Sequence, residues 1–312
     1  LSLFNNRLRM TADYYRKKTT DLLNNVEMPR SSGYTTALRN IGSIRNSGFE
    51  LQLDGRIIDR AVKWDLGVNF SLNRSKVLVL SEDKDIFGGE LDNTILKDQL
   101  NLMRVGEPMY VFYGYVEDGY DENGHIVYKN MDDDPAITAA DKTIIGDPNP
   151  DFLVNLTTAV SYKGFTLSAF FQSSIGNDIY SLSMAAQAYD YGYNGNTLRE
   201  VYYNHWTPEN PTAKYPNLDQ TSYKMSDRFV YDGSFVRLKN LELAYDVPCA
   251  RNKFIKRARV YVSAQNLFTI TSYPFWDPDI NANGGGSSMI QGVDSYCYPS
   301  ARTYTIGCRL TF

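Results

Sequence analysis

Aromatic side chains concentrate in two polar stretches of this 312-residue chain: Tyr189, Tyr191, Tyr193, Tyr202, Tyr203 and Trp206 in one, and Tyr273, Phe275 and Trp276 in the other. A flat ring buries a large area with few rotatable bonds, so it can stack on a sugar face or anchor a protein partner. Tyr191, Tyr193, Tyr203, Tyr273, Phe275 and Trp276 are the candidate ligand or partner contacts. Packing of the two stretches against each other is the competing role for the same rings.

Catalytic and metal chemistry find less support. His125 and His205 are the only histidines, and neither accompanies a serine or cysteine nucleophile in a recognisable setting. Carboxylates are plentiful, so a glycosidase-type pair is compatible with the composition, yet no catalytic pattern is present and no cofactor is implied. The run Asn130-Met-Asp-Asp-Asp-Pro-Ala-Ile137, with Asp141 beyond it, offers the hard oxygen ligands that calcium uses. The alternative is a solvated acidic turn, and no metal ligands are assigned. Cys249, Cys297 and Cys308 show neither metal-ligand spacing nor an even-numbered disulfide framework. The one basic cluster, Lys253, Lys256, Arg257 and Arg259, is interrupted by apolar residues and reads as a solvated turn plus inward-facing side chains rather than a phosphate site. A formal net charge of −4 gives no sign of nucleic-acid binding.

The elements that must position these residues are strands. The last nine residues alternate without a break, Tyr304, Ile306, Cys308, Leu310 and Phe312 on one face and Thr305, Gly307, Arg309 and Thr311 on the other. Similar alternation marks Leu8 to Tyr15, Phe49 to Asp54, Trp64 to Asn73, Phe152 to Tyr162, Phe165 to Phe171 and Ala258 to Gln265. Between Phe235 and Tyr245 the apolar parity slips from Val236 and Leu238 to Leu241, Leu243 and Tyr245, which predicts a bulge near Lys239 and Asn240. Eight full strands result, with Leu1 to Phe4 as the tail of a ninth.

The connections between them alternate in length. Thr19 to Arg45, Lys76 to Asp151, Asn177 to Ser234 and Thr271 to Ala301 read as long, whereas Asp59 to Ala61, Lys163-Gly164 and Val247 to Arg257 are short. An up-and-down barrel in an outer membrane has this asymmetry, with short periplasmic turns and long extracellular loops, and its outward faces meet lipid. Tyrosine, present 24 times, suits such half-wet surfaces and interface girdles. No stretch approaches the roughly 18 apolar residues of a membrane helix, a length that barrel strands do not need. Gly284-Gly-Gly-Ser-Ser288 reads as a mobile loop tip.

Several segments resemble the C-terminal part of the SusC/RagA family, the TonB-dependent outer-membrane transporters of Bacteroidetes. In chain order they are Asn46-Ser-Gly-Phe-Glu50, Gly146-Asp-Pro-Asn-Pro-Asp-Phe152 followed by Tyr162-Lys-Gly-Phe165, His205-Trp-Thr-Pro-Glu-Asn-Pro211, Phe235-Val-Arg-Leu-Lys-Asn-Leu241, Gln265-Asn-Leu-Phe-Thr-Ile270, Asp277-Pro278 and Tyr298-Pro299. Any one of these is weak, but the ordered set covers nearly the whole chain. The acidic run resembles an EF-hand-like family segment, with Asp133 and Pro135 standing where its glycines would be. Trp206, inside a family motif, is implied to serve the scaffold.

The resemblance implies an all-β, antiparallel, up-and-down transmembrane barrel of which residues 1–312 supply the C-terminal portion, about eight to ten strands of a 22-stranded wall whose lumen holds a plug. No plug domain is visible in the sequence, so the chain reads as a fragment whose first strand is cut and whose closing strand ends at Phe312. The implied function is TonB-dependent import of oligosaccharides or peptides, with a SusD-like lipoprotein at the extracellular mouth and TonB-ExbB-ExbD acting through the missing N-terminal region. The implied site is the cell outer membrane, in contact with its lipid. Polar residues such as Glu50, Gln52, Asp65, Asn69 and Arg309 then face the lumen, where many would hydrogen-bond the plug. The rival readings are a non-transporting glycan-binding or adhesin β module and a secreted β-rich hydrolase.

Overall fold

The computed structural model describes residues 1–27, 31, 33, 36–80, 84–92, 96–189, 196–249, 254–280 and 290–312. Nine strands form one antiparallel sheet in which neighbours in space are also neighbours in chain order. They are β1 (Ser2–Leu3), β2 (Leu8–Glu27), β3 (Thr36–Asp59), β4 (Val62–Leu80), β5 (Phe152–Tyr162), β6 (Phe165–Ile175), β7 (Phe235–Val247), β8 (Arg257–Thr271) and β9 (Thr303–Thr311).

Register converts the alternation of each strand into two continuous faces. One row across the sheet reads Trp64, Val160, Leu167, Leu243, Val262 and Ile306. A row on the opposite face reads Gln52, Asn69, Asn155, Gln172, Arg237 and Thr269. From Val160 to Ile306 the apolar row is exposed, Ile306 at 85% and Val262 at 54%, and among the described residues no second sheet covers it. A soluble sandwich buries such a face, whereas a membrane wall turns it to lipid.

The predicted bulge is present: pairing slips between Leu238 and Asn240 against β8, and at the same place against β6. Leu238 pairs with Phe171 and Leu241 with Ala169, two β6 residues that share a face. The extra residue thus returns both apolar parities of β7 to the lipid side. The turn between β5 and β6 has Lys163 at φ 48° and Gly164 at φ 86°, the two left-handed positions that a type I′ hairpin needs.

One expected long loop is largely strand. Thr19 to Arg45 continues the β2–β3 ladder up to Glu27 and Thr36, with register slips between Thr19 and Leu23. With 20 and 24 residues, these strands run roughly 65–80 Å at about 3.3 Å per residue, well beyond the ~25 Å apolar band of a barrel even when tilted. The Gly284 to Ser288 tip lies outside the described residues.

Within the wall, Gly48 sits under a ring. A Cβ there would fall 2.5 Å from the Leu72 carbonyl oxygen and 2.5 Å from the Tyr15 ring, while the Tyr15 hydroxyl reaches Asn73 Oδ1 at 3.1 Å. Gly48→Val should therefore cost about 1–3 kcal/mol through overpacking, read as a lowered urea midpoint of the refolded barrel. An unchanged midpoint would show that the ring does not close over Gly48.

The main apolar core lies outside the wall, in the long connections. Thr143–Gly146, Val111–Gly114, Asn101–Met103 and Ile86–Phe87 form a four-stranded sheet, and Asp178–Ser181 pairs antiparallel with Val230–Asp232 and parallel with Val293–Asp294. With helices α1 (Leu182–Tyr189) and α2 (Arg199–Tyr203), these pieces bury Leu100, Phe112, Tyr180, Val201, Phe229 and Val293 in one cluster. Three connections far apart in sequence thereby form a single layer at the end of the wall away from the short turns, each buried side chain contributing about 1.5–3 kcal/mol.

Candidate functional site

The loop layer sorts the candidate rings by exposure. Tyr203 is 69% exposed, edge-on to Tyr202 with 5.1 Å between centroids, and the Arg199 guanidinium lies 5.6 Å from its centre. Trp276 is 58% exposed and stacks on Phe275 at 4.7 Å, and Phe275 packs in turn against the loop core. Tyr273 is buried: its hydroxyl donates to Asp294 Oδ2 at 2.5 Å and lies 2.9 Å from Ser181 Oγ. That burial and the Asp294 carboxylate push its ionisation well above the usual tyrosine range. Tyr273 therefore ties loops together rather than presenting a face. Tyr191 and Tyr193 lie outside the described residues.

Other rings of the same stretches serve packing. Tyr189 stacks on Tyr223 at 3.8 Å and meets Phe229 edge-on. The Trp206 ring covers Gly124, where a Cβ would fall 2.2 Å from it, in keeping with the scaffold role implied by its motif.

Arg237, in the sequence no more than part of a strand motif, is the largest fully buried side chain among the described residues. Its place on the polar face of β7 aims it at the segment that follows β8. Nε donates to Thr269 Oγ1 at 2.9 Å, Nη1 to Asp279 Oδ2 at 3.3 Å and Ser300 Oγ at 3.2 Å, and Nη2 pairs with the Asp277 carboxylate. Asp277 also accepts the Asp279 and Ser300 backbone N–H groups, each at 2.9 Å. Burial raises the Asp277 carboxyl, but these N–H groups and Arg237 outweigh it and leave it below the ordinary aspartate range. Two motifs quoted separately, Phe235 to Leu241 and Asp277-Pro278, are thus halves of one ion pair. The usable signal was the matched charge across the motifs, an arginine in one and aspartates in the other.

The acidic run caps itself. Asp132 Oδ1 accepts the Asp134 N–H at 2.8 Å and Asp134 Oδ1 the Ala136 N–H at 3.0 Å. Asp141 accepts the Met131 and Thr138 N–H groups, both at 2.7 Å, and these bonds, Met131 first, hold its carboxyl below the usual range. Among the described residues no three His, Cys, Asp or Glu side chains converge as metal ligands. His125 Nε2 lies 2.8 Å from Asp219 Oδ1 and ties two loops together, while His205 Nδ1 donates to the Tyr202 carbonyl at 2.9 Å and closes the end of α2. In the basic cluster, Arg259 reaches Glu242 and Asp246 on the polar face of the wall, each at 3.4 Å, while Lys253 lies outside the described residues.

Comparison with known proteins agrees with this architecture. The family described as TonB dependent receptor-like, beta-barrel matches residues 1–267. TonB-dependent receptor P3 of Formosa agariphila is 33% identical over all of this chain and 33% of its own length, and TonB-dependent receptor SusC of Bacteroides thetaiotaomicron is 29% identical over 99% of this chain and 30% of its own. A structure of the RagAB peptide transporter superposes with a TM-score of 0.82 at 28% identity, covering 100% of this chain and 34% of that one. The chain spans about a third of the length of these relatives. An exposed apolar face, a polar inner face, three long connections at one end of the wall and this likeness along the whole chain have one common explanation: the chain belongs to the TonB-dependent receptor β-barrel family of the outer membrane, in its SusC/RagA-like branch.

Proposed function

We propose that the intact protein containing these residues imports oligosaccharides or peptides too large for porins. In this reading a SusD-like lipoprotein closes over the extracellular mouth, and TonB-ExbB-ExbD energises uptake through a region outside this chain. Residues 1–312 supply wall and extracellular loops. The observation that carries the reading is the loop layer itself: three connections fold into one buried core at the end of the wall away from the short turns, and this supports a mouth that is covered rather than open. Exposed Tyr203 and the Phe275–Trp276 stack are the contacts for cargo or lipoprotein. Tyr191 and Tyr193 belong to the same proposal, while buried Tyr273 supports it from behind.

Uptake by cells carrying or lacking the intact gene tests this directly. Radiolabelled pools of neutral oligosaccharides and of tryptic peptides would be supplied with and without a protonophore. Gene-dependent, protonophore-sensitive uptake of one pool is expected, together with recovery of a surface lipoprotein on mild purification. Equal uptake of both pools in the deletion strain would sink the importer reading.

A further inference from the structure

At the extracellular end of the polar face, two grooves of about 270 and about 260 Å³ lie on either side of the segment 273–280, and Pro278 lines both. Asn155 and Gln172 line the first; Asn266 and Trp276 line the second. Each groove holds one buried amide oxygen with no hydrogen-bond partner among the described residues, Asn155 Oδ1 in the first and Asn266 Oδ1 in the second. Asn266 cannot easily turn away, because its Nδ2 is committed to the Ala301 carbonyl at 2.9 Å. A buried acceptor left unpaired is costly, so each groove calls for an N–H or O–H donor.

The segment between the grooves is held at three points. Tyr273 fixes its start through Asp294 and Ser181, Phe275 packs into the loop core, and Arg237 grips Asp277 and Asp279. Trp276 stands out as the exposed ring of the segment, its plane fixed by the stack on Phe275. Rings held in place before binding lose little freedom on contact.

We propose that the segment 273–280 is a rigid tongue that reads the cargo, with Trp276, Asn155 and Asn266 as contacts and Arg237 as the residue that positions it. The chemistry it accepts is a flat apolar face flanked by N–H or O–H donors, which a sugar ring and a peptide backbone can each supply. This rests on the importer reading, because the tongue faces the side of the wall past which cargo moves.

The test uses the intact transporter purified from outer membranes, titrated with a pool of neutral oligosaccharides and a tryptic peptide digest, with affinity followed by calorimetry. Trp276→Ala and Asn155→Leu should each weaken binding of the accepted pool about tenfold, with the folded fraction unchanged by heat-modifiable migration. Arg237→Met should lose as much although Trp276 is intact, and Arg237→Lys should recover part of it, which a general loss of structure would not allow. Should Arg237→Met fail to fold, Asp279→Asn removes one grip from a half-exposed carboxylate and should lower affinity to a lesser degree. Whichever pool responds identifies the cargo class. Wild-type binding that is indifferent to Trp276→Ala and Asn155→Leu overturns the tongue and leaves the importer reading standing. Binding of neither pool by the wild type overturns the importer reading and the tongue with it.

Discussion

Replacing Arg237 with methionine should free the segment 273–280 from the wall at a cost of about 3–5 kcal/mol, the usual penalty for stranding one partner of a buried ion pair. Methionine fills comparable volume, so the loss is electrostatic: Asp277, 6% exposed, would keep a charge that only backbone N–H groups then stabilise. Making the partner apolar as well, in Arg237→Met with Asp277→Leu, should recover only part of the loss. The Asp279 and Ser300 N–H groups that Asp277 accepts would then be left without an acceptor. Limited proteolysis of the folded barrel reads this out, with new cleavage within 271–280 in the single variant and the wall strands still protected. Cleavage identical to wild type would mean that the ion pair does not hold the segment.

The same pair has a pH signature. The Asp277 carboxyl is lowered in the folded protein, so its contribution is fully present above the unfolded aspartate value near 3.8 and is lost as pH falls through the lower folded value. Protection of 271–280 should therefore hold through neutral pH and fail only in strong acid.

How far the sequence revealed this arrangement depended on where lipid imposes a pattern. Phe152 to Tyr162 has the bounds expected from alternation, and the slip in β7 was readable because Leu238 and Leu241 must both stand on the apolar face. The upper β2–β3 hairpin was read as a loop because, above the apolar band, neither face need be apolar. Thr19 opposite Ile44, Leu22 opposite Gly42 and Leu23 opposite Asn40 carry no period of two, although backbone pairing continues there. The loop layer was illegible for a different reason. Its strands are two to four residues long, too short to show a period, and its core joins segments about 100 residues apart. Tyr273 and Trp276 are three residues apart and look alike as candidates, yet only tertiary packing buries one and exposes the other. Arg237 was hidden by its strand, since a polar residue at that parity is what any lumen-facing position carries.

Leu241→Arg should destabilise the barrel by about 2–4 kcal/mol in phospholipid bilayers, the range for a cation placed on the lipid face near the bilayer midplane. Leu241 pairs with Ala169 and Ala264 on the apolar side. Ala169 lies four residues along β6 from its first residue, Phe165, at the short turn. That is about 13 Å along a strand, or roughly 10 Å of depth at a tilt near 45°, close to the middle of a ~25 Å apolar band. Small partners on both sides leave the guanidinium no carboxylate to pair with and no side chain long enough to shield it. Ser263→Arg is the matched control, because Ser263 lies on the polar face between Glu242 and Thr305 and gains an acidic neighbour. Its cost should stay within about 1 kcal/mol. Denaturant unfolding of both variants in bilayers separates the two faces, and repeating it in detergent should shrink the Leu241 penalty as the apolar medium becomes thinner and wetter. Equal penalties for the two substitutions would place both faces in the same environment. In that case the exposed row from Trp64 to Ile306 would need a protein partner rather than lipid to cover it.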